Sequence, residues 1–179
     1  SYQKFLKSYP DAFTDLTDMG INWDDFGKLK QSYSMVDDKH YGVPFDNGAV
    51  IACYRTDILK EAGYTIDDLT DITWSEFAKI GKDVHDKTGK YLLTSEGTGG
   101  DTMMMMIQSC GANFVNEKGD AYIVGNDIAE KCVDIYTELV QNDVVKLVNN
   151  WDEYVSTITN GEAAGVVNGN WITATFAST

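Results

Sequence analysis

The sequence predicts an α/β fold, on three observations. Short β-branched apolar runs alternate with segments of helical period. Those helical segments carry their own start and stop signals, such as Thr73 with Glu76 at one end and Gly63 or Gly89 at another. No internal repeat and no long linker interrupts the alternation.

Taken in order, residues 1–9 (SYQKFLKSY) read as the tail of a helix, and the aromatic and acidic stretch up to residue 45 is hard to assign. In YGVPFD, 41–46, Pro44 biases Val43 away from helix, so a turn runs into an extended segment. AVIACY, 49–54, reads as a strand. Thr56 opens a helix to Ala62, stopped by Gly63. Residues 64–72 are acidic and irregular. Thr73 caps the clearest helix, boxed by Glu76 and stapled by Ile72 onto Phe77. Phe77, Ile80, Gly81 and Val84 share its inner face, and it stops near Gly89.

Tyr91 to Thr94 is a predicted strand, 95–102 a loop, and 103–110 a buried helix whose four methionines, Met103 to Met106, read as core filler. A hairpin is expected around Glu117-Lys118-Gly119-Asp120. Asp127 is expected to cap a long helix with the stripe Ile128, Cys132, Ile135, Tyr136, Leu139 and Val140. Asn150 caps another, with Glu153 at the boxing position, ending at Asn160-Gly161. AAGVV, 163–167, reads as a buried strand, Asn168-Gly169-Asn170 as a sharp turn, and Trp171 as the opening of a short last helix.

Composition narrows the function. The chain has 179 residues, 43% of them hydrophobic, enough for one sizeable core or one lobe with part of another. Its net charge is −14. That acidity argues against nucleic acid, whose phosphates need clustered Lys and Arg, and against an anionic membrane surface. It favours neutral or cationic ligands. No apolar run is long enough to span a bilayer. Ser1 and the abrupt close at AST suggest a processed or trimmed piece.

Catalytic and metal signatures are absent from the sequence. His40 and His85 have no ligand partner at helix or turn spacing and read as ordinary surface or structural residues. Cys53, Cys110 and Cys132 form no C-x-x-C pair and read as small buried hydrophobes. The glycines at 97, 99 and 100 lack the Lys-Ser/Thr of a phosphate loop. No pair of carboxylates stands out as a glycosidase pair. No cofactor is expected.

What remains is a pattern suited to binding. Phe45-Asp46-Asn47, Glu96-Gly97-Thr98 and Asn168-Gly169-Asn170-Trp171 combine polar and aromatic residues beside predicted strands. In open α/β sheets, ligands sit where strand-end loops converge. A flat ring can cover the C–H face of a pyranose while carboxylates and amides meet its hydroxyls. Trp171 reads equally as such a ring or as a packed core tryptophan.

Three motifs in order also resemble a known family. YGVPFDNGAVIACYRTDILKEAGY, TWSEFAKIGKDVHDKTGK and NGEAAGVVNGNWITATF are similar to the family 1 extracellular solute-binding proteins, the maltose-binding protein type, from about residue 20 onward. The resemblance implies a periplasmic-binding-protein-like (type II) fold, of which this chain is mostly the second lobe. It implies a first-lobe fragment at 1–45, a hinge crossover strand at 46–54 and most of the second lobe at 55–179. It implies a sugar or oligosaccharide ligand, an ABC permease as partner, and an extracellular place as a lipoprotein or periplasmic protein, with no catalysis. By the same resemblance Trp171 would stack on the sugar, Asp46, Asn47, Glu96 and Asn170 would hydrogen-bond it, and Gly97 and Thr98 would face the cleft. Members of the family are about twice this long, and the loop 96–101 lacks the aromatic that some carry. A polyamine ligand, a carbohydrate-active enzyme and a ligand-sensing domain of a larger regulator are the competing readings.

Overall fold

The computed structural model describes residues 2–97, 100–116 and 118–177. The chain divides into two compact units, one ending at Gly48 and one starting at Ala49.

The first unit holds helices α1 (Tyr2–Ser8) and α2 (Lys28–Ser32) and a hairpin of β1 (Met35–Val36) with β2 (Lys39–His40). Asp37 and Asp38 take positive φ of 51° and 60°. Two such residues match the hairpin turn to the strand twist, and Asp tolerates that backbone region. His40 is buried, stacked on Trp23 at 3.7 Å between ring centres and 6° between planes. Trp23 Nε1 donates to the carbonyl of Thr17, and Thr17 Oγ1 accepts from the His40 amide. His40 is thus structural.

The second unit is an α/β layer structure. Its strands are β3 (Val50–Tyr54), β4 (Tyr91–Glu96), β5 (Val145–Val148) and β6 (Ala163–Gly169). They lie in the order β3-β6-β4-β5, with β6, β4 and β5 mutually parallel and β3 antiparallel to β6. Its helices are α3 (Thr56–Ala62), α4 (Trp74–Thr88), α5 (Gly100–Ser109), α6 (Asp127–Gln141), α7 (Trp151–Thr159) and α8 (Ile172–Ala177).

Two clusters of buried side chains pack on the sheet. One joins Leu59, Phe77, Val84, Leu93, Leu139 and Val144, from α3, α4, β4, α6 and the residue just before β5. The other joins Val148, Tyr154, Ile158, Val166 and Ile172, under α7 and α8. Cys53 and Tyr54, Ala163 and Ala164, and Val166 and Val167 divide between the two clusters, as the alternating faces of a strand require. Gly81 lets α4 approach this core closely. A β-carbon there would fall 2.2 Å from Val144 Cγ1.

Local signals act as read. Thr73 and Glu76 form the full capping box, and Gly63 and Gly89 end their helices at φ 88° and 70°. Several boundaries differ, each for a tertiary reason. β4 runs on through Ser95 and Glu96 because Leu147 and Val148 of β5 pair with them. The strand β5 itself was not foreseen. The methionine helix begins at Gly100 rather than 103. Asn126, not Asp127, caps α6, accepting from the Ala129 amide. Glu153 accepts from the amide of Asn149 rather than from that of the cap Asn150. β6 continues through Asn168 and Gly169, which pair with Ile51 and Val50 of β3, so the turn falls at Asn170-Trp171. The expected hairpin reduces to one bridge, Val115 with Ala121, and Glu117 lies outside the described residues.

Candidate functional site

The parallel strands β4, β5 and β6 all end at the same edge of the sheet, where α/β folds gather ligands. There a recess of about 170 Å³ is lined by Ser95, Glu96, Asp101, Thr102, Met105, Trp151, Tyr154, Val167, Asn168 and Trp171. Glu96 is the last residue of β4, and Asp101, Thr102 and Met105 come from the first turns of α5. Trp151 and Tyr154 come from the first turn of α7, one loop beyond β5. Asn168 is near the end of β6, and Trp171 follows it.

Three aromatic rings form one wall. Trp151 and Trp171 lie 5.6 Å apart between centres at 35°, and Trp151 stacks on Tyr154 at 5.4 Å and 21°. Trp171 is 49% exposed and Trp151 40%. Large rings left this open at strand ends offer flat apolar surface to a solute rather than filling the core. Asn168 Nδ2 donates to the Tyr154 hydroxyl at 3.2 Å, which holds the amide beside the rings.

The floor is polar and tied down. Ser95 Oγ and Thr102 Oγ1 lie 2.7 Å apart, both residues buried, and the Tyr136 hydroxyl from α6 donates to Ser95 Oγ at 3.1 Å. This chain of hydroxyls joins the end of β4, which carries Glu96, to the start of α5, which carries Asp101. Burial pushes the Tyr154 hydroxyl pKa up, and the negative charges of Glu96 and Asp101 add to the effect. The Tyr154 hydroxyl therefore stays protonated at neutral pH, able both to donate and to accept. The recess offers carboxylate acceptors, an amide, a phenol and an aromatic wall.

The residues singled out in the sequence fall in different places. Glu96 and Trp171 meet in this recess. Gly97 follows β4, its amide donating to the Val148 carbonyl. Thr98 lies outside the described residues. Asn170 is exposed and does not line the recess, its amide donating to Ala49 and its carbonyl accepting from Thr173. Asp46 and Asn47 belong to the first unit, where the Asp46 carboxylate accepts from the Asn47 amide at 2.6 Å. Both line a hollow there with Phe26, Lys30 and Phe45. A larger hollow of about 720 Å³ in that unit, lined by Tyr2, Tyr33, Val43, Pro44 and Phe45 among others, has no strand ends converging on it.

Sequence reasoning missed Trp151, Tyr154 and Asp101, and named Asn168 only as part of the loop 168–171, with the hydrogen-bonding role given to Asn170 instead. Trp151 hides as the first residue of a well-capped helix, and its position after an unforeseen strand removed the one usable clue. The methionines divide. Met106 is core, Met103 packs against core, and Met105 lines the recess. Among the described residues, no group of three or more His, Cys, Asp or Glu side chains could hold a metal ion.

Residues 6–178 match the family described as bacterial extracellular solute-binding protein. The chain belongs to that family. A lactose-binding protein from Rhizobium radiobacter is 35% identical to this chain over 176 residues, 98% of this chain and 42% of the relative. An arabinooligosaccharide-binding protein from Bacillus subtilis is 26% identical over 181 residues, 98% of this chain and 41% of the relative. In structure, the chain is similar to an ABC substrate-binding protein from Listeria monocytogenes in complex with cycloalternan. The TM-score is 0.79 at 20% identity, over 98% of this chain and 47% of the other. The fold is therefore that of the type II periplasmic binding proteins, and the chain spans less than half the length of these relatives.

Proposed function

We propose that the whole protein captures a sugar or oligosaccharide outside the cell and delivers it to the membrane subunits of an ABC importer. One observation carries this reading: two half-exposed tryptophans and a tyrosine stand beside Glu96, Asp101 and Asn168 at the carboxyl ends of parallel strands. Sugars present apolar C–H faces and rings of hydroxyls, and this wall and floor match both. Relatives named for lactose and arabinooligosaccharide binding support the ligand class.

In this reading Trp171 and Trp151 stack on the sugar, and Glu96, Asp101 and Asn168 hydrogen-bond it. Residues 1–45 belong to the first lobe, 46–54 cross between lobes, and 55–179 form most of the second lobe. Asp46 and Asn47, the Gly97-Thr98 loop and Asn170 are proposed to contribute further polar contacts in the whole protein. A recess of about 170 Å³ is smaller than the ~300–1,000 Å³ of ligand clefts. It suits one wall of a cleft that closes when ligand bridges two lobes. The role is binding without turnover, as family membership supports. Among the described residues no helix is long and apolar enough to cross a membrane.

A second reading keeps the site and changes the solute. Two carboxylates beside aromatic rings also suit a polyamine or another organic cation. Thermal-shift measurements on the whole protein, with lactose, arabino-oligosaccharides, malto-oligosaccharides and polyamines, separate the two. A ligand that binds only the folded state raises the midpoint by mass action. A shift confined to sugars and insensitive to salt bears out the first reading. A shift confined to polyamines and lost in salt replaces it with the second. Turnover of a glycoside would overturn both.

A further inference from the structure

A chain of three hydroxyls leads from α6 to the solute recess, and its donors run in one direction. It starts at Tyr136, whose ring packs against the cluster of Met106, Ile107, Ala129 and Cys132. Burial pushes the Tyr136 phenol pKa up, against a smaller opposing pull from its bond to Ser95, so the hydroxyl keeps its hydrogen at neutral pH. That hydrogen goes to Ser95 Oγ at 3.1 Å. Ser95 has one hydrogen of its own and two acceptors within reach. Thr102 Oγ1 lies at 2.7 Å and the Glu96 carbonyl at 3.5 Å. The shorter contact is in the ordinary range for hydroxyls and the longer one is outside it, so Ser95 donates to Thr102. Thr102 then accepts and has its own hydrogen left over. Among the described residues its hydroxyl has no further partner, and the residue lines the recess.

A second, shorter chain has the same sense. Asn168 Nδ2 donates to the Tyr154 hydroxyl at 3.2 Å, which leaves the phenol hydrogen for the recess that Tyr154 also lines. Glu96 and Asp101 line the same recess, and a carboxylate only accepts. Hydroxyl donors therefore stand among carboxylate acceptors.

We infer that Tyr136 is a positioning residue of the solute site: through Ser95 it turns the Thr102 hydroxyl into a donor toward the recess, and so tunes the site to a neutral polyol. This rests on the proposed reading of the recess as the place where solute binds. Each hydroxyl of a polyol both donates and accepts. It can give its hydrogen to Glu96 or Asp101 while its oxygen takes the hydrogen of Thr102. An ammonium group has hydrogens only. It satisfies the carboxylates but leaves the Thr102 and Tyr154 hydrogens facing another donor. Tyr136 acts without touching the solute, since α6 contributes no side chain to the lining of the recess. Without its hydroxyl, Ser95 has a lone pair to spare and can accept from Thr102, which draws that hydrogen back from the recess.

The test is isothermal titration of the whole protein with lactose, arabino-oligosaccharides, malto-oligosaccharides and spermidine. Tyr136→Phe and Thr102→Val should each weaken sugar binding roughly three- to tenfold, the scale of one hydrogen bond. The double variant should lose no more than the larger single loss, because both changes break one chain. Thr102→Ser, which keeps a hydroxyl, should lose less than Thr102→Val. Spermidine affinity should not fall in any of them, whereas a general loosening of the site would lower every affinity alike. Sugar losses that multiply in the double variant would overturn the inference and leave the sugar reading standing. So would a folded Tyr136→Phe protein that binds sugar as wild type does. If Tyr136→Phe does not fold, Thr102→Val against Thr102→Ser decides: equal sugar affinities in the two would overturn the donor role. Wild type that binds no sugar of the panel would overturn both the inference and the reading beneath it.

Discussion

The indole of Trp171 folds back over Gly169, so closely that a β-carbon on Gly169 would fall 2.4 Å from Nε1. The glycine is the last residue of β6, and its missing side chain sets where the ring can lie. Gly169→Ala should push the indole outward and change its tilt against Trp151. Trp171 is half-exposed, so the cost should sit near the low end of the ~1–3 kcal/mol typical of overpacking. Near-ultraviolet circular dichroism and tryptophan emission should change clearly while the midpoint drops little. Unchanged spectra would mean that the ring is not held where the structure places it.

Trp171→Ala in the whole protein should weaken solute binding by about 1–3 kcal/mol, the scale of one lost aromatic contact. Trp151→Ala should act in the same direction. Isothermal titration with the best ligand from the panel reads this directly. Stability in urea should fall less than for a core tryptophan, because both residues are only partly buried. A Trp171→Ala variant that unfolds but binds normally when folded would return Trp171 to a structural role.

Gly81→Ala should be among the costlier small changes in the second unit. The added methyl meets Val144, which is fully buried and held in the main cluster. Overpacking of that kind costs about 1–3 kcal/mol. The urea midpoint should fall, and adding Val144→Ala should restore part of the loss by making room. If the double variant is weaker than the sum of the two single ones, the clash is not the cause.

Asp15 gives the first unit a defined acid response. Its carboxylate accepts from Thr17 Oγ1 at 2.6 Å and from the Thr17 amide at 3.0 Å, with Lys39 Nζ 3.1 Å away. Those contacts, the Thr17 hydroxyl first, lower its pKa from the ordinary 3.8 to about 2. The folded-state value is depressed, so the stabilising effect is complete above 3.8 and is lost as pH falls toward 2. The wild-type midpoint should therefore drop more than that of Asp15→Asn over this window, and the two curves should run parallel above it. A carboxyl resonance of Asp15 titrating near its ordinary value would contradict the assignment.

The sequence by itself determined the fold class and most helix ends. Thr73 with Glu76, Gly63, Gly89 and Asn150 act within one turn of themselves, so a short window of sequence holds the whole signal. The order of three motifs carried the family. Part of the site was legible too, since Glu96 and Trp171 fall in segments of telling composition at strand ends.

Tertiary structure alone decided the rest. A strand ends where its partner stops offering hydrogen bonds, and the partner lies far away in the chain. Ser95 and Glu96 are strand because Leu147 and Val148 pair with them, and Asn168 and Gly169 are strand because Ile51 and Val50 do. That two-residue extension of β6 puts Asn168, not Asn170, against Tyr154. Trp151 and Trp171 are twenty positions apart, each at the start of its own helix, and only the sheet brings their rings to 5.6 Å. Local sequence encodes caps and periodicity, whereas convergence at a site is a property of strand order and register, which no local window contains.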